Sequence, residues 1–203
     1  MKKINISIIL IITAMGVTAY PNSLTAQNIS QSPEALNPAE GINVDAEEQR
    51  SLEAVKAFGS SLQAELQKAL KEGGPEMAIT VCNAKANVIA MKVSAEQDLT
   101  LKRVSKRNRN PDNAPNEWQE KVLEEFESRK LKGELVSELT YTDVAEIDSG
   151  KQFRFMKAIP TGPICIQCHG PNISTAVQKK LDRLYPDDKA RGFLPGDIRG
   201  AFV

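Results

Sequence analysis

Histidine is almost missing from this chain: His169 is the single one among 203 residues. That excludes catalytic histidine pairs, histidine-rich metal sites and any centre needing two imidazoles from one chain. Aromatic residues are few as well, six Phe, three Tyr and one Trp, so the core must lean on aliphatic side chains. There is no excess of charge of either sign, 26 Lys and Arg against 26 Asp and Glu. The balance excludes a strongly basic nucleic-acid binder and a highly charged disordered tail. No internal repeat is visible, and the length suits one domain of ordinary size.

What is there begins with an address. Residues 1–26 carry Lys2 and Lys3, then an apolar run from Ile8 to Val17, then small residues. This is the pattern of a secretory signal peptide, with cleavage after Ala26 or after Ala19. The apolar run is shorter than the roughly 20 residues a membrane span needs, so no stable membrane insertion is expected after cleavage. No Cys lies near the cleavage region, which leaves no lipoprotein anchor. Removing Lys2 and Lys3 leaves 24 basic against 26 acidic residues. The expected location is periplasmic, an oxidising compartment outside the cytoplasm.

Residues 27–44 are polar with two prolines and a glycine and read as a flexible leader; the domain is expected over 45–203. Asp45 to Lys71 has helical periodicity, with Leu52, Val55, Phe58, Leu62, Leu66 and Leu70 at spacings of three and four. Gly73 and Gly74 stop it, and Pro75 opens a second helix to about Val93. That helix carries Ile79, Cys82, Ala86, Ile89 and Val93 on one stripe. Leu99 to Ser105 reads as a short strand, Asn108 to Pro115 as a loop, and Glu117 to Lys130 as an amphipathic helix. Glu134 to Thr142 and Gln152 to Ile159 alternate like strands, with a hairpin turn at Ser149-Gly150 before the second. A short helix over Ser174 to Leu184 and a strand from Ile198 complete the order. Two helices followed by strands with inserted helices give an α+β class with an antiparallel sheet.

The chemistry sits in Cys165-Ile166-Gln167-Cys168-His169, the C-x-x-C-H sequence of c-type haem attachment. The spacing has a mechanical reason. Two thiols add across the two vinyl groups on one porphyrin edge, and the next residue, His169, then lies under the iron as proximal ligand. A dithiol oxidoreductase also uses C-x-x-C, usually opening a helix. Here Pro160, Gly162 and Pro163 precede the motif and Gly170-Pro171 follow it, so no helix is expected to begin at Cys165. A zinc site of Cys82, Cys165, Cys168 and His169 would force adjacent Cys168 and His169 onto one small ion.

The second axial position has several candidates: Cys82, a Met (Met77, Met91 or Met156), a Lys, a Tyr, or an open site. Cys82 is the thiol left over after attachment, a liability in an oxidising compartment unless something occupies it. Buried Cys and Met side chains are also ordinary core fillers, so the residues alone leave the choice open. Arg103, Arg107, Arg154 and Arg199 are candidates to meet the haem propionates, since the guanidinium fork suits carboxylates. Trp118 and Phe155 are candidates to pack near the macrocycle, with core packing as the default reading of each. The Arg109-Asn110-Pro111 stretch reads as a turn without a functional role.

Several separated blocks resemble the PAS-like family of periplasmic single-haem c-type cytochromes. They are Ala78-Ile79-Thr80-Val81-Cys82, Arg103-Val104-Ser105, Arg107 through Pro115, Phe155 through Gly170, and the ending Tyr185-Pro186-Asp187-Asp188, Gly192-Phe193 and Gly196 through Ala201. The resemblance covers about residues 50–203. It implies a PAS-like antiparallel sheet flanked by helices, one covalent haem, and axial ligation by the His of C-x-x-C-H and a Cys of an N-terminal helix, here His169 and Cys82. Phe193 stands where relatives often carry Tyr, at a position that is not a ligand. The family also occurs fused to signalling modules, which implies redox or small-gas sensing; here such a role would need a partner protein.

A thiolate ligand stabilises ferric iron and lowers the potential. Reduction would weaken the bond to Cys82 and open a site for CO, NO or O₂, the two-state element a sensor requires. The rival expectation is an electron carrier with both ligands fixed, handing electrons to a redox partner protein. No distal acid–base constellation is readable, so the chain is not expected to be an enzyme.

Overall fold

The computed structural model describes residues 41–203. The expected signal peptide over 1–26 and residues 27–40 of the expected leader, 27–44, lie outside the described residues. Among the described residues no helix is long and apolar enough to cross a membrane.

Helix α1 (Val44–Gln97) starts at Asn43, whose side chain accepts a hydrogen bond from the Ala46 amide. It is broken in the middle, at Gly73 (φ −154°, ψ 20°) and Gly74 (φ 66°, ψ −166°). The Gly74 backbone lies in a region that only glycine occupies without strain. The break turns the chain back on itself. Glu65 and Lys85 are 20 residues apart yet form a 2.9 Å ion pair, whereas a straight helix would separate them by about 30 Å. Ala54, Val55 and Phe58 of the first half share a core cluster with Val93 of the second. The two expected helices are therefore a helical hairpin. The second runs to Gln97, four residues beyond the expected end.

The sheet is antiparallel with strand order β1-β4-β3-β2. Strand β1 (Arg103–Val104) pairs with β4 (Ile198–Phe202), β4 with β3 (Gly150–Pro160), and β3 with β2 (Thr140–Ile147). The β2–β3 register closes at Ile147 opposite Gly150, so the turn falls at Asp148-Ser149, with Gly150 at φ +117°. Two expected strands are corrected. Leu99 to Ser105 pairs only over Arg103 and Val104. The alternation over Glu134 to Thr142 begins instead with a 3₁₀ turn, Val136–Glu138. Leu135 is exposed there while Val136 and Leu139 are buried, the three-residue spacing of a 3₁₀ turn rather than the two-residue spacing of a strand.

Side chains alternate across the sheet as strand geometry requires. From β3, Met156 and Ala158 enter one core with Val122, Leu123 and Phe126 of helix α2 (Glu117–Leu131). Phe155, pointing the other way, joins the α1 hairpin and the edge-to-face pair of Phe58 and Phe202. Helix α2 is fixed at its start by a capping box between Asn116 and Gln119. The single-turn helix α3 (Ile166–His169) and helix α4 (Thr175–Leu184) come after the sheet strands β2 and β3. Val177 and Leu181 of α4 pack on Ile79 of α1. The result is an α+β architecture: a four-stranded antiparallel sheet with α2 on one face and the α1 hairpin on the other.

Candidate functional site

Between the α1 hairpin, the sheet and the segment 159–169 lies a cavity of about 530 Å³, within the ordinary range for cofactor sites, about 300–1,000 Å³. Cys82, Cys165, Cys168 and His169 all line it. Its apolar walls include Phe58, Leu62, Leu66, Ile79, Ile159 and Phe202.

The attachment motif is arranged by one helical turn. Contrary to the expectation, a helix does begin directly after Cys165, because His169 N bonds Cys165 O at 2.9 Å and Gly170 N bonds Ile166 O at 2.9 Å. Gly170-Pro171 stops it after that single turn. Residues at i, i+3 and i+4 share one helix face, so the turn puts Cys165, Cys168 and His169 on the same side. All three cysteines are free thiols. Burial pushes the Cys82 thiol up, with Arg103 and Arg109 pulling the other way. Burial likewise raises Cys168, opposed by Arg109 and reinforced by Cys82 and Cys165.

His169 is oriented by its neighbours. Nδ1 lies 2.8 Å from the Ala190 carbonyl oxygen, which can only accept, so Nδ1 carries the proton and Nε2 keeps the lone pair. Burial, then the charges of Arg199 and Arg109, hold the imidazole well below its ordinary range, hence neutral. Phe193 meets the ring edge-on at 6.2 Å between centroids.

Three guanidinium groups, from Arg103, Arg109 and Arg199, also line the cavity. Arg199 is pushed down to about 9, by burial first and then by Arg109 and Arg103. Its Nη1 reaches Ser105 Oγ and the Arg107 carbonyl, each at 3.3 Å, while its buried Nε has no acceptor. A desolvated cation with an orphaned donor is costly unless an anion completes it. A flat, largely apolar group carrying carboxylates suits such walls.

The four candidate arginines divide between the cavity and other partners. Arg103 and Arg199 line the cavity. Arg107 instead stacks on Phe193 at 3.6 Å and donates to the Arg191 carbonyl. Arg154 lies over Trp118, 5.0 Å from the ring centroid. Trp118 packs on the α2 core and Phe155 on the hairpin core, so neither lines the cavity, and Phe58 and Phe202 take that role. Arg109 is the residue missed: it donates to the Cys168 carbonyl at 2.6 Å and pairs with the fully buried Asp188 side chain at 3.1 Å.

The axial candidates also separate. Met77 and Met91 are exposed on α1, and Met156 is sealed in the core on the α2 face; none lines the cavity. Cys82 and Tyr185 do. Among the described residues no three His, Cys, Asp or Glu side chains cluster closely enough to hold a bare metal ion.

A family model described as Tll0287-like matches residues 26–203. Among solved structures, the crystal structure of the cyanobacterial heme-protein Tll0287 aligns over 77% of this chain and 92% of its own, with a TM-score of 0.57 and 21% identity. At that identity the likeness speaks for the fold. None of the curated proteins compared matches the chain.

Proposed function

The chain belongs to the Tll0287-like family, and from that membership we propose that it is an exported, periplasmic single-haem c-type cytochrome. In this reading the haem is one covalent haem c, tethered through Cys165 and Cys168, with His169 and Cys82 as axial ligands. The observation that carries it is the convergence of Cys82, from the second half of α1, with all three functional residues of C-x-x-C-H on one cavity. The haem-protein title of the matching structure supports the same cofactor.

Haem bound there supplies a one-electron centre. The residues divide the remaining work. Cys165 and Cys168 fix the edge of the group, and the α3 turn sets their spacing. His169 offers Nε2 because Ala190 occupies Nδ1. Arg103 and Arg199 offer cations to its carboxylates. Phe58, Phe202, Leu62 and Leu66 line the cavity with apolar surface and would keep water from a group held there.

We further propose redox or small-gas sensing, with Cys82 as the moving part. A thiolate ligand favours ferric iron, so reduction would weaken the bond to Cys82 and favour its release. A diatomic gas (CO, NO or O₂) would then bind on the Cys82 side, and a partner protein would read the change. The electron-carrier alternative needs a fixed ligand pair, and its thioether version loses support because no methionine of the described residues lines the cavity.

Ferric and ferrous absorption spectra of wild type and Cys82→Ala test this. The expected result is a thiolate charge-transfer signature lost in Cys82→Ala, and CO binding by ferrous wild type. An identical ferric spectrum in the variant contradicts Cys82 ligation, and a ferrous protein that refuses CO contradicts the sensing mechanism.

A further inference from the structure

The segment that holds His169 owes its shape to one carboxylate. The Asp188 side chain is fully buried. Its Oδ1 accepts from Arg109 Nε at 3.1 Å and from the Ala190 amide at 2.9 Å, and its Oδ2 accepts from Arg191 Nε at 3.0 Å. Backbone bonds seat this segment on the motif: Phe193 N to His169 O at 2.8 Å and Gly192 N to Gly170 O at 3.1 Å. The Ala190 carbonyl thereby arrives at His169 Nδ1.

That carbonyl has a second donor. Arg109 Nη2 reaches it at 3.1 Å, against 2.8 Å for His169 Nδ1. The same nitrogen donates to the Cys168 carbonyl, one residue before the histidine. One guanidinium therefore grips both the loop that carries the imidazole and the oxygen that orients it.

We infer that the Arg109–Asp188 pair is a positioning device that sets how strongly His169 donates to iron, by dividing the Ala190 carbonyl between a guanidinium and the imidazole. The inference rests on the haem reading above. A carbonyl oxygen has two lone pairs and can serve both donors. A charge-assisted bond from a cation draws electron density from the oxygen, which leaves it a weaker acceptor for the imidazole N–H. The ring then has less imidazolate character, and Nε2 is a weaker donor to a metal. A purely structural brace would be complete without this contact, since Asp188 already fixes the Ala190 amide and Arg191. The fork geometry matters, because lysine is a point donor and cannot hold Asp188, Cys168 and Ala190 together.

The test uses full-length protein matured with haem in cells. Arg109→Gln and Arg109→Lys are made in a Cys82→Ala background, so that the ferrous iron–imidazole stretch is readable by resonance Raman, and reduction potentials are measured alongside. Arg109→Gln is expected to raise the stretching frequency and lower the potential, and Arg109→Lys, which keeps the charge and one donor, to fall between. A haem-loaded Arg109→Gln protein with the parent's stretch, or a lower one, overturns the inference. If Arg109→Gln does not fold, Arg109→Lys decides: a higher stretch supports the inference and an unchanged or lower one overturns it. A parent protein without any tetrapyrrole contradicts the haem reading itself and takes this inference with it, whereas attached haem with an unmoved stretch contradicts the inference alone.

Discussion

His169 Nδ1 and the Ala190 carbonyl oxygen stand 2.8 Å apart, and this one bond decides which imidazole nitrogen is free for a metal. With Nδ1 protonated and the ring held neutral, only Nε2 can ligate. Replacing His169 by Ala should leave haem attached through the two thiols but remove the proximal nitrogen. Electron paramagnetic resonance of the ferric variant is expected to lose the wild-type low-spin signal; an unchanged signal would place the nitrogen ligand elsewhere.

Asp188 gives a pH prediction. Burial alone pushes its carboxyl up, but the charge and hydrogen bond of Arg109, then the Ala190 amide and Arg191, carry it below the ordinary value. A depressed carboxylate stabilises the fold above its unfolded pKa, about 3.9, and loses that contribution as pH falls through the folded value. Asp188→Asn strands a buried cation, which costs about 3–5 kcal/mol near neutral pH. Urea unfolding across the acid range should show the gap between variant and wild type closing below about pH 4. A gap independent of pH would count against the assignment.

Arg199 is a buried cation with an orphaned Nε. Arg199→Met removes positive charge from the cavity wall, so ferric iron should gain relative to ferrous and the reduction potential should fall. The yield of haem-loaded protein should fall too, since a hydrogen bond to a charged group is worth about 1.5–3 kcal/mol. Spectroelectrochemistry checks the first and haem stain per unit protein the second; unchanged values in both would remove Arg199 from the site.

Gly74 turns the helical hairpin at φ 66°, ψ −166°. Gly74→Ala forces a Cβ into a conformation that costs about 1–3 kcal/mol. Nothing lies within 4 Å of that Cβ, so the cost is backbone strain and should appear as a lower unfolding midpoint with an unchanged haem spectrum.

Some of this was legible in sequence because the determinants are local. The pentapeptide at 165–169 carries its own spacing rule, the stripe through Ile79, Cys82 and Ala86 follows from helical period, and Gly73-Gly74 marks the break between two helices, though not their fold-back into a hairpin. Arg109 was misread because its partners, Cys168, Asp188 and Ala190, lie 59 to 81 residues away, and a turn signature at 109–111 explains the residue type without them. Arg107 and Arg154 were misplaced for the reverse reason: residue type suits a carboxylate, but only the fold shows that Phe193 and Trp118 occupy their guanidinium faces. The alternation over Glu134 to Thr142 does not separate a strand start from the 3₁₀ turn Val136–Glu138, where burial falls at Val136 and Leu139, three residues apart.

The most direct measurement is the intact mass of the protein purified from the periplasm of cells that make c-type haem, beside Cys165→Ala/Cys168→Ala. The account predicts wild type heavier than its processed polypeptide by one haem, and the double variant at polypeptide mass. Wild type at bare polypeptide mass, with no tetrapyrrole bound, would contradict it.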